Sequence, residues 1–407
     1  MSVAASTRLV DRLARRSVAY ATSPWAAIDP HLSAHPDLIY FGSGAPAAEL
    51  YPMGRFGWAA EQVWERMPAG ELDYGELAGY PPLLALISER LLAIGVDSGD
   101  RVMVTSGSQQ GIDFAAKLFL DPGDVVVVEA PTYIGAIQAL DGYEPAYWSI
   151  PMDDEGIDVA EIRRRIAATG LVPKLAYVIP TFQNPTGRTM SPARREALVA
   201  LCAEHGIALV EDDPYGEMWY GEPPPVALRG LSADVIYLGT FSKTMAPGMR
   251  VGWMVAPASI YEQLLLAKEA TDINAARPMM RELHLAANDF IDGHVLEARP
   301  VYARRRDAML AALRVHMPPG VTWTEPDGGF FTWVTLPAGL AASDLLPVAA
   351  LHGAGFLPGR LFYPPADAVD DSLRLSFSSL PEERIETGIA RLGQAITEAS
   401  LTSSRHG

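Results

Sequence analysis

The sequence predicts an α/β protein: a large domain built on a mainly parallel sheet, followed by a smaller α+β domain. Three observations predict it. Between residues 100 and 257, short runs that are apolar at nearly every position alternate with amphipathic helical stretches. Strands apolar on both faces belong to a sheet that helices cover on each side. After a helical connection over 279–317 the alternation ends, and strand and helix patterns separate. At 407 residues the chain also exceeds what one hydrophobic core usually serves.

In chain order, 101–105 (RVMVT) reads as a strand and 108–120 as a helix, and 125–128 (VVVV) with 133–140 repeats the unit. Strands follow at 175–179, 208–211, 235–239 and 251–255. Within the helical connection, Arg304, Arg305 and Arg306 read as a solvated face. In the second domain 321–324, 330–336 and 372–377 read as strands and 381–396 as a closing helix. Gly221 with Pro223, Pro224 and Pro225, and Pro358, Gly359, Pro364 and Pro365, mark loops.

Composition narrows the function classes. Hydrophobic residues make up 49% and charged residues 20%. No apolar run reaches the roughly eighteen residues that a membrane span needs. Arg8, Arg12, Arg15 and Arg16 open the chain without the apolar stretch of a secretory signal. The expectation is a soluble cytoplasmic protein with no membrane partner. A net charge of −17 opposes nucleic acid at long range, so any phosphate must be held locally. The single cysteine, Cys202, lies in an apolar helical pattern and reads as a small buried hydrophobe.

Residues that carry chemistry gather where the strands of the first domain end, which is where open α/β sheets bind ligands. At Thr105-Ser106-Gly107-Ser108-Gln109-Gln110-Gly111 a strand gives way to a helix. Glycine there lets the backbone approach an anion that the helix N-terminus attracts, although many strand-to-helix loops read this way. Pro131-Thr132-Tyr133 brings an aromatic ring to the same edge, a structural tyrosine being the usual alternative. Residues 179–187 (IPTFQNPTG) leave a strand for a turn. Glu211, Asp212 and Asp213 end another strand; a metal site is the alternative reading, but no histidine or further acid stands at ligand spacing. Residues 239–252 place Lys243 and Arg250 in a loop of small residues. Taken singly, a loop lysine is usually a solvated charge, and Lys117, Lys174 and Lys268 read as surface residues.

In combination, GSQQ, PTY, NPTG, DDPY and FSK-x6-R resemble the fold type I pyridoxal-5′-phosphate (PLP) aminotransferases. Within them the likeness is to the 2-aminoadipate and aromatic aminotransferase branch, which also forms the enzyme-like half of MocR regulators. It extends from Phe41-Gly42-Ser43-Gly44-Ala45-Pro46 to Leu373-Arg374-Leu375-Ser376-Phe377-Ser378. The resemblance implies an N-terminal segment 1–45 packing with the small domain and the active site. A large PLP-binding domain 46–290 and a small domain 291–407 complete the division.

The resemblance also assigns roles. Lys243 holds the cofactor as a Schiff base and then carries the substrate's α-proton. Asp212 pairs with the pyridine nitrogen and keeps it protonated, while Glu211 and Asp213 receive no chemical role. Asn184 and Tyr215 hydrogen-bond the ring oxygen, and Tyr133 stacks on the ring. The phosphate falls to Ser108, the Gln109 backbone, Thr240, Ser242 and Arg250. Tyr74 reaches a phosphate across the interface of a homodimer with shared active sites. Arg374 clamps the substrate α-carboxylate, with Asn184 and the Gly44 backbone lining the same place.

The expected function is therefore transfer of an amino group between an L-amino acid and a 2-oxo acid such as 2-oxoglutarate. A PLP decarboxylase, lyase or oxidase on the same fold is the alternative. A regulator is a further one, for which the residues before Phe41 leave little room for a DNA-binding domain. Between Arg16 and Arg55 there is no lysine or arginine, only Tyr20, Trp25, Ile28, Leu32 and Tyr40 with Asp29, His31 and His35. The expected donor side chain is neutral or aromatic, or a basic one facing Asp29, rather than that of 2-aminoadipate.

Overall fold

The chain enters the fold through a short strand, β1 (Ile39–Tyr40), and then builds its central sheet from β2 (Val102–Thr105), β3 (Val125–Ala130), β4 (Ala146–Asp153), β5 (Gly156–Ile157), β6 (Leu175–Val178), β7 (Ala208–Asp212), β8 (Ile236–Thr240) and β9 (Gly252–Val255). This computed structural model describes residues 9–20, 23, 26, 30, 35 and 37–403. The expectations for Trp25, Ile28, Asp29, His31 and Leu32 lie outside the described residues. The strand order is β2-β9-β8-β7-β6-β3-β4-β5. Neighbours from β8 through β4 run parallel. β9 runs antiparallel to both β2 and β8, and β5 antiparallel to β4.

The apolar runs end up where two-sided burial demands. Val126, Val127 and Val128 are completely buried, with Ile112, Phe114 and Leu140 in the core on one face and Ile162, Leu198 and Leu201 in the core on the other. β4 was not legible as a strand, because only Ile150 in it is fully buried and Pro151 interrupts its apolar pattern. Cys202 lies in the second of these cores, and burial pushes its thiol up to about 12.

The remaining strands are β10 (Thr322–Trp323), β11 (Phe331–Thr335), β12 (Ala354–Gly355), β13 (Leu357–Pro358) and β14 (Ser372–Ser376). They form an antiparallel sheet in the order β10-β11-β14-β13, while β1 pairs in parallel with β12. The closing helix, Glu382–Ser403, runs beyond its expected end. The connection over 279–317 is two helices, Arg277–Ala287 and Ile291–His316. The longer one bridges two cores. Ile291, Val295, Ala298 and Tyr302 pack with the large-sheet residues Val102 and Trp253, whereas Met309, Leu310 and Leu313 pack with Val334 and Leu373.

Arg305 departs from the solvated face expected of its triplet. It is buried, donates to the Ser378 carbonyl at 2.5 Å and pairs with Glu49. Successive helical residues are rotated by about 100°, so the three adjacent arginines part: Arg304 stays exposed, Arg305 turns inward, and Arg306 lies along the surface, donating to the Pro326 carbonyl at 3.1 Å. Lys268 also departs from its expected surface position and is completely buried.

Candidate active site

The site is assembled at the edge where β2, β6, β7 and β8 end. After β2, Gly107 takes φ +71 and caps the helix Ser108–Phe119. A Cβ at Gly107 would lie 2.7 Å from Arg250 Nη2, so a side chain there would displace the arginine. Opposite, a Cβ at Gly252 would meet the Gly107 carbonyl carbon at 2.7 Å. The two glycines let the loop after β2 and the start of β9 close on one another. Arg250 itself sits at φ +52, an uncommon conformation for a non-glycine residue, and donates to the Ser106 carbonyl at 2.9 Å. Its guanidinium therefore stands beside the first helical N–H groups, where the helix dipole also favours an anion.

The three acids at the end of β7 do not form one cluster. Alternation along the strand separates them. Glu211 accepts the backbone N–H groups of Leu228 and Arg229, both at 2.9 Å. Asp213 accepts the Tyr237 hydroxyl at 2.9 Å and the Gly216 N–H. Asp212 is 2% exposed and faces the site. Its Oδ2 accepts the Tyr177 hydroxyl at 2.7 Å, while its Oδ1 is buried without a partner. Burial pushes the Asp212 carboxyl up to about 7; Asp213 adds to the shift, and Tyr177, Ser108 and Lys243 oppose it.

Lys243 projects from the loop between β8 and β9. Its Nζ donates to the Gly44 carbonyl at 2.8 Å and lies 5.7 Å from the centre of the Tyr215 ring. Burial, together with the cations of Arg374 and Arg250, lowers its amine to about 8 against the pull of Asp212. Arg374, on β14, is 4% exposed and donates to Asn184 Oδ1 at 2.9 Å and to the Gly42 carbonyl at 2.6 Å. The guanidinium lies 4.1 Å from the Phe331 ring centre and 5.0 Å from that of Phe362, and its Nε has no partner. Burial brings it down to about 10, which leaves it cationic at neutral pH.

Most of the other expected residues converge on the same place. Tyr215 is buried and edge-on to Phe330 and Phe331, and a hydrogen bond from Asn184 opposes the upward shift that burial gives its hydroxyl. Tyr133 is half-buried within the fields of Asp212, Arg374 and Arg250. Gln109 uses its side chain to hold the Gly135 carbonyl beside that ring, at 2.5 Å. The Thr240 hydroxyl donates to Ser242 Oγ at 2.8 Å and accepts the Ser242 N–H at 3.1 Å. Tyr74 stands apart: it is 75% exposed, and its carbonyl accepts from Arg277.

Two contributors were missed. Tyr177 lies inside the apolar run of β6, where its hydroxyl was the only polar signal. Glu129, completely buried, ends β3 and accepts the Ile179 N–H at 3.1 Å and the Gln183 amide at 3.0 Å. Gln183 in turn accepts from Thr186, so this carboxyl, which burial pushes up to about 8, supports the turn that carries Asn184. A charge at the end of VVVV could have announced it.

These groups fit pyridoxal phosphate. The buried Asp212 Oδ1 lacks a donor, which a protonated pyridine nitrogen would provide. Arg250 and the N–H groups at Ser108 and Gln109 suit a phosphate, and Lys243 is an amine with a lowered proton affinity. Bound there, the cofactor supplies an electron sink for the electrons left when an amino acid loses its α-proton.

Known proteins resemble this chain along most of its length. The family model described as aminotransferase class I and II matches residues 37–392. Aromatic-amino-acid aminotransferase 1 of Thermococcus litoralis is 40% identical over 372 residues, covering 89% of this chain and 88% of its own. The 2-aminoadipate transaminase of Thermus thermophilus is 36% identical, covering 90% and 91%. The crystal structure of Pyrococcus horikoshii kynurenine aminotransferase superposes with a TM-score of 0.89 at 37% identity, covering 96% of this chain and 98% of that one. With sequence and structure matched over nearly their whole lengths, this chain belongs to the class I and II aminotransferases, and it is a pyridoxal-phosphate-dependent amino acid aminotransferase.

Proposed function

We propose that the enzyme takes its amino group from an L-amino acid with a neutral or aromatic side chain and passes it to a 2-oxo acid such as 2-oxoglutarate. The observation that carries this reading is the setting of Arg374. It is a buried fork with an unpartnered Nε, held between two phenylalanines within the field of Lys243. Arg374 binds the α-carboxylate and so turns the α-hydrogen toward Lys243. Lys243 Nζ, steadied by the Gly44 carbonyl, removes that proton and returns it. Asn184 orients Arg374 and Tyr215 together, and the residues at Ser108, Gln109, Thr240, Ser242 and Arg250 grip the phosphate. With a large domain at 46–290 and a small one at 291–407, Lys243 belongs to the first and Arg374 to the second, while the first half of the helix Ile291–His316 packs in the large domain's core.

The choice of donor follows from charge. A side-chain carboxylate needs a cation, and burying it unpaired costs roughly several kcal/mol. The sequence between Arg16 and Arg55 supplies none. The relatives' names divide: the aromatic amino acids of the Thermococcus enzyme and the kynurenine of the Pyrococcus one point the same way, and the 2-aminoadipate of the Thermus enzyme points the other. Comparing kcat/KM for leucine, phenylalanine, arginine and 2-aminoadipate tests the reading, with release of the 2-oxo acid followed directly. Phenylalanine or leucine is expected to lead by about ten-fold or more, the weight of one unpaired buried charge being larger than that. A lead for 2-aminoadipate would overturn it.

A homodimer with shared sites is part of the proposal. Met53, Trp58, Trp64 and Leu72 are exposed on the same stretch of chain as Tyr74, an apolar surface of the kind that subunits cover. Mixing Lys243→Ala chains with Tyr74→Phe chains is expected to restore one undamaged site per hybrid dimer. Activity no higher in isolated hybrids than in either parent would remove Tyr74 from the partner's site. The reducing cytoplasm suits a chain whose one cysteine is buried. Among the described residues no helix is long and apolar enough to cross a membrane.

A further inference from the structure

Lys268 lies on the helix Tyr261–Asp272 and is completely buried, an expensive place for an ammonium group. It donates to both oxygens of Asp272, at 2.9 and 3.0 Å. Asp272 Oδ2 also accepts the Gln110 side-chain amide at 2.8 Å. Gln110 Oε1 accepts the backbone N–H of Ser106 at 2.8 Å. The Ser106 carbonyl then accepts from Arg250. One line of hydrogen bonds thus runs from a buried lysine outside the sheet to the residue between β2 and Gly107.

The order of donors and acceptors gives this line a direction. A carboxylate only accepts, so the Gln110 amide must turn its NH2 end toward Asp272. Its oxygen is then the end left for Ser106 N–H. That bond holds the peptide unit before Ser106, and the Gly107 N–H, which donates to the Thr105 carbonyl at 2.9 Å, holds the one after it, so the Ser106 carbonyl is offered to Arg250. The lysine pins the carboxylate from behind through two bonds, where an apolar residue would leave it free to rotate. Burying this ion pair is no stability argument in itself, since apolar packing would serve as well or better.

We propose that Lys268, Asp272 and Gln110 are positioning residues for the cofactor's phosphate: they set the loop 105–108 and Arg250 as a rigid anion grip, separately from the groups that act on the ring. The proposal rests on the cofactor reading above. Lys268→Met and Gln110→Met each interrupt the line, and Lys268→Arg retains the charge. Apoprotein is titrated with PLP and with pyridoxal, which lacks the phosphate, by the absorbance of the bound chromophore, and kcat is measured at saturating PLP.

Both methionine variants are expected to bind PLP about ten-fold less tightly, the weight of a hydrogen bond to a charged group. Their affinity for pyridoxal and their kcat at saturation should stay within about two-fold of wild type, a change too small to count as a lost bond. Lys268→Arg should recover part of the PLP affinity. An equal loss for PLP and pyridoxal, or no loss for either, would overturn the proposal. Gln110 is only half-buried, so its variant decides the matter should Lys268→Met fail to fold. A wild type that takes up neither compound would instead overturn the cofactor reading, and this proposal with it.

Discussion

Lys243→Ala is expected to abolish covalent attachment of the cofactor and to lower kcat by on the order of 10⁴-fold or more, since one side chain serves as both nucleophile and proton carrier. Among the described residues, Lys117 and Lys174 are exposed and Lys268 is engaged by Asp272. Borohydride reduction followed by peptide mapping should therefore find the label on Lys243 alone. A label elsewhere would sink the assignment. The lowered proton affinity adds a pH dependence. Only the neutral amine attacks an aldehyde, and burial with Arg374 and Arg250 nearby brings Lys243 to about 8. Uptake of PLP by apoprotein should thus quicken as pH rises toward 8 and level off above it, which stopped-flow absorbance measures. A profile still climbing beyond pH 10 would mean that the lysine is not shifted.

Asp212→Asn is expected to retain PLP but to lose kcat by about 10²- to 10³-fold, the range over which positioned charges act on a transition state. The carboxylate is buried with one oxygen engaged by Tyr177 and the other unpartnered. Alone it is pushed up to about 7; a cation against Oδ1 would draw it back to full ionisation. An asparagine fills the same space and keeps the Tyr177 bond, yet it carries no charge to hold a proton on the ring nitrogen. Asp213→Asn is the control, because Asp213 faces Tyr237 and Gly216 instead. Its kcat should stay within about ten-fold of wild type, as for loss of an ordinary buried hydrogen bond. A crippled Asp213→Asn with a mild Asp212→Asn would reverse the roles of the two acids.

The sheet was legible wherever burial on both faces left no room for polar residues, as in Val125 to Val128. It was illegible where a strand is half exposed, as in β4, because period-two alternation and a proline blur into loop chemistry. The loops at the strand ends were legible for a different reason: glycine, proline and charged residues stand there against an apolar background. Tyr177 and Glu129 escaped because they lie inside strands, where only pairing across the sheet reveals what a side chain meets. Lys268 and Arg305 were misread because their neighbours in sequence are charged; which of them turns inward is decided by the packing of whole helices.

The connection between β8 and β9 holds one last consequence. Thr240 pairs with Gly252, and the Phe241 N–H reaches the Val251 carbonyl, so the two feet of the loop are pinned side by side. Inside, Met245 and Ala246 N–H groups return to the Phe241 carbonyl, and Arg250 N–H to that of Pro247. The backbone positions of Lys243 and Arg250 are thus held relative to one another, and in the proposed site, where one takes the reactive carbon and the other the anion, they act as the two jaws of a caliper. A compound spans it only if its reactive carbon and its anion are separated by the matching length. On that proposal, selection is by measurement as much as by charge. On the same proposal, one residue added to or removed from 241–251 resets the gauge.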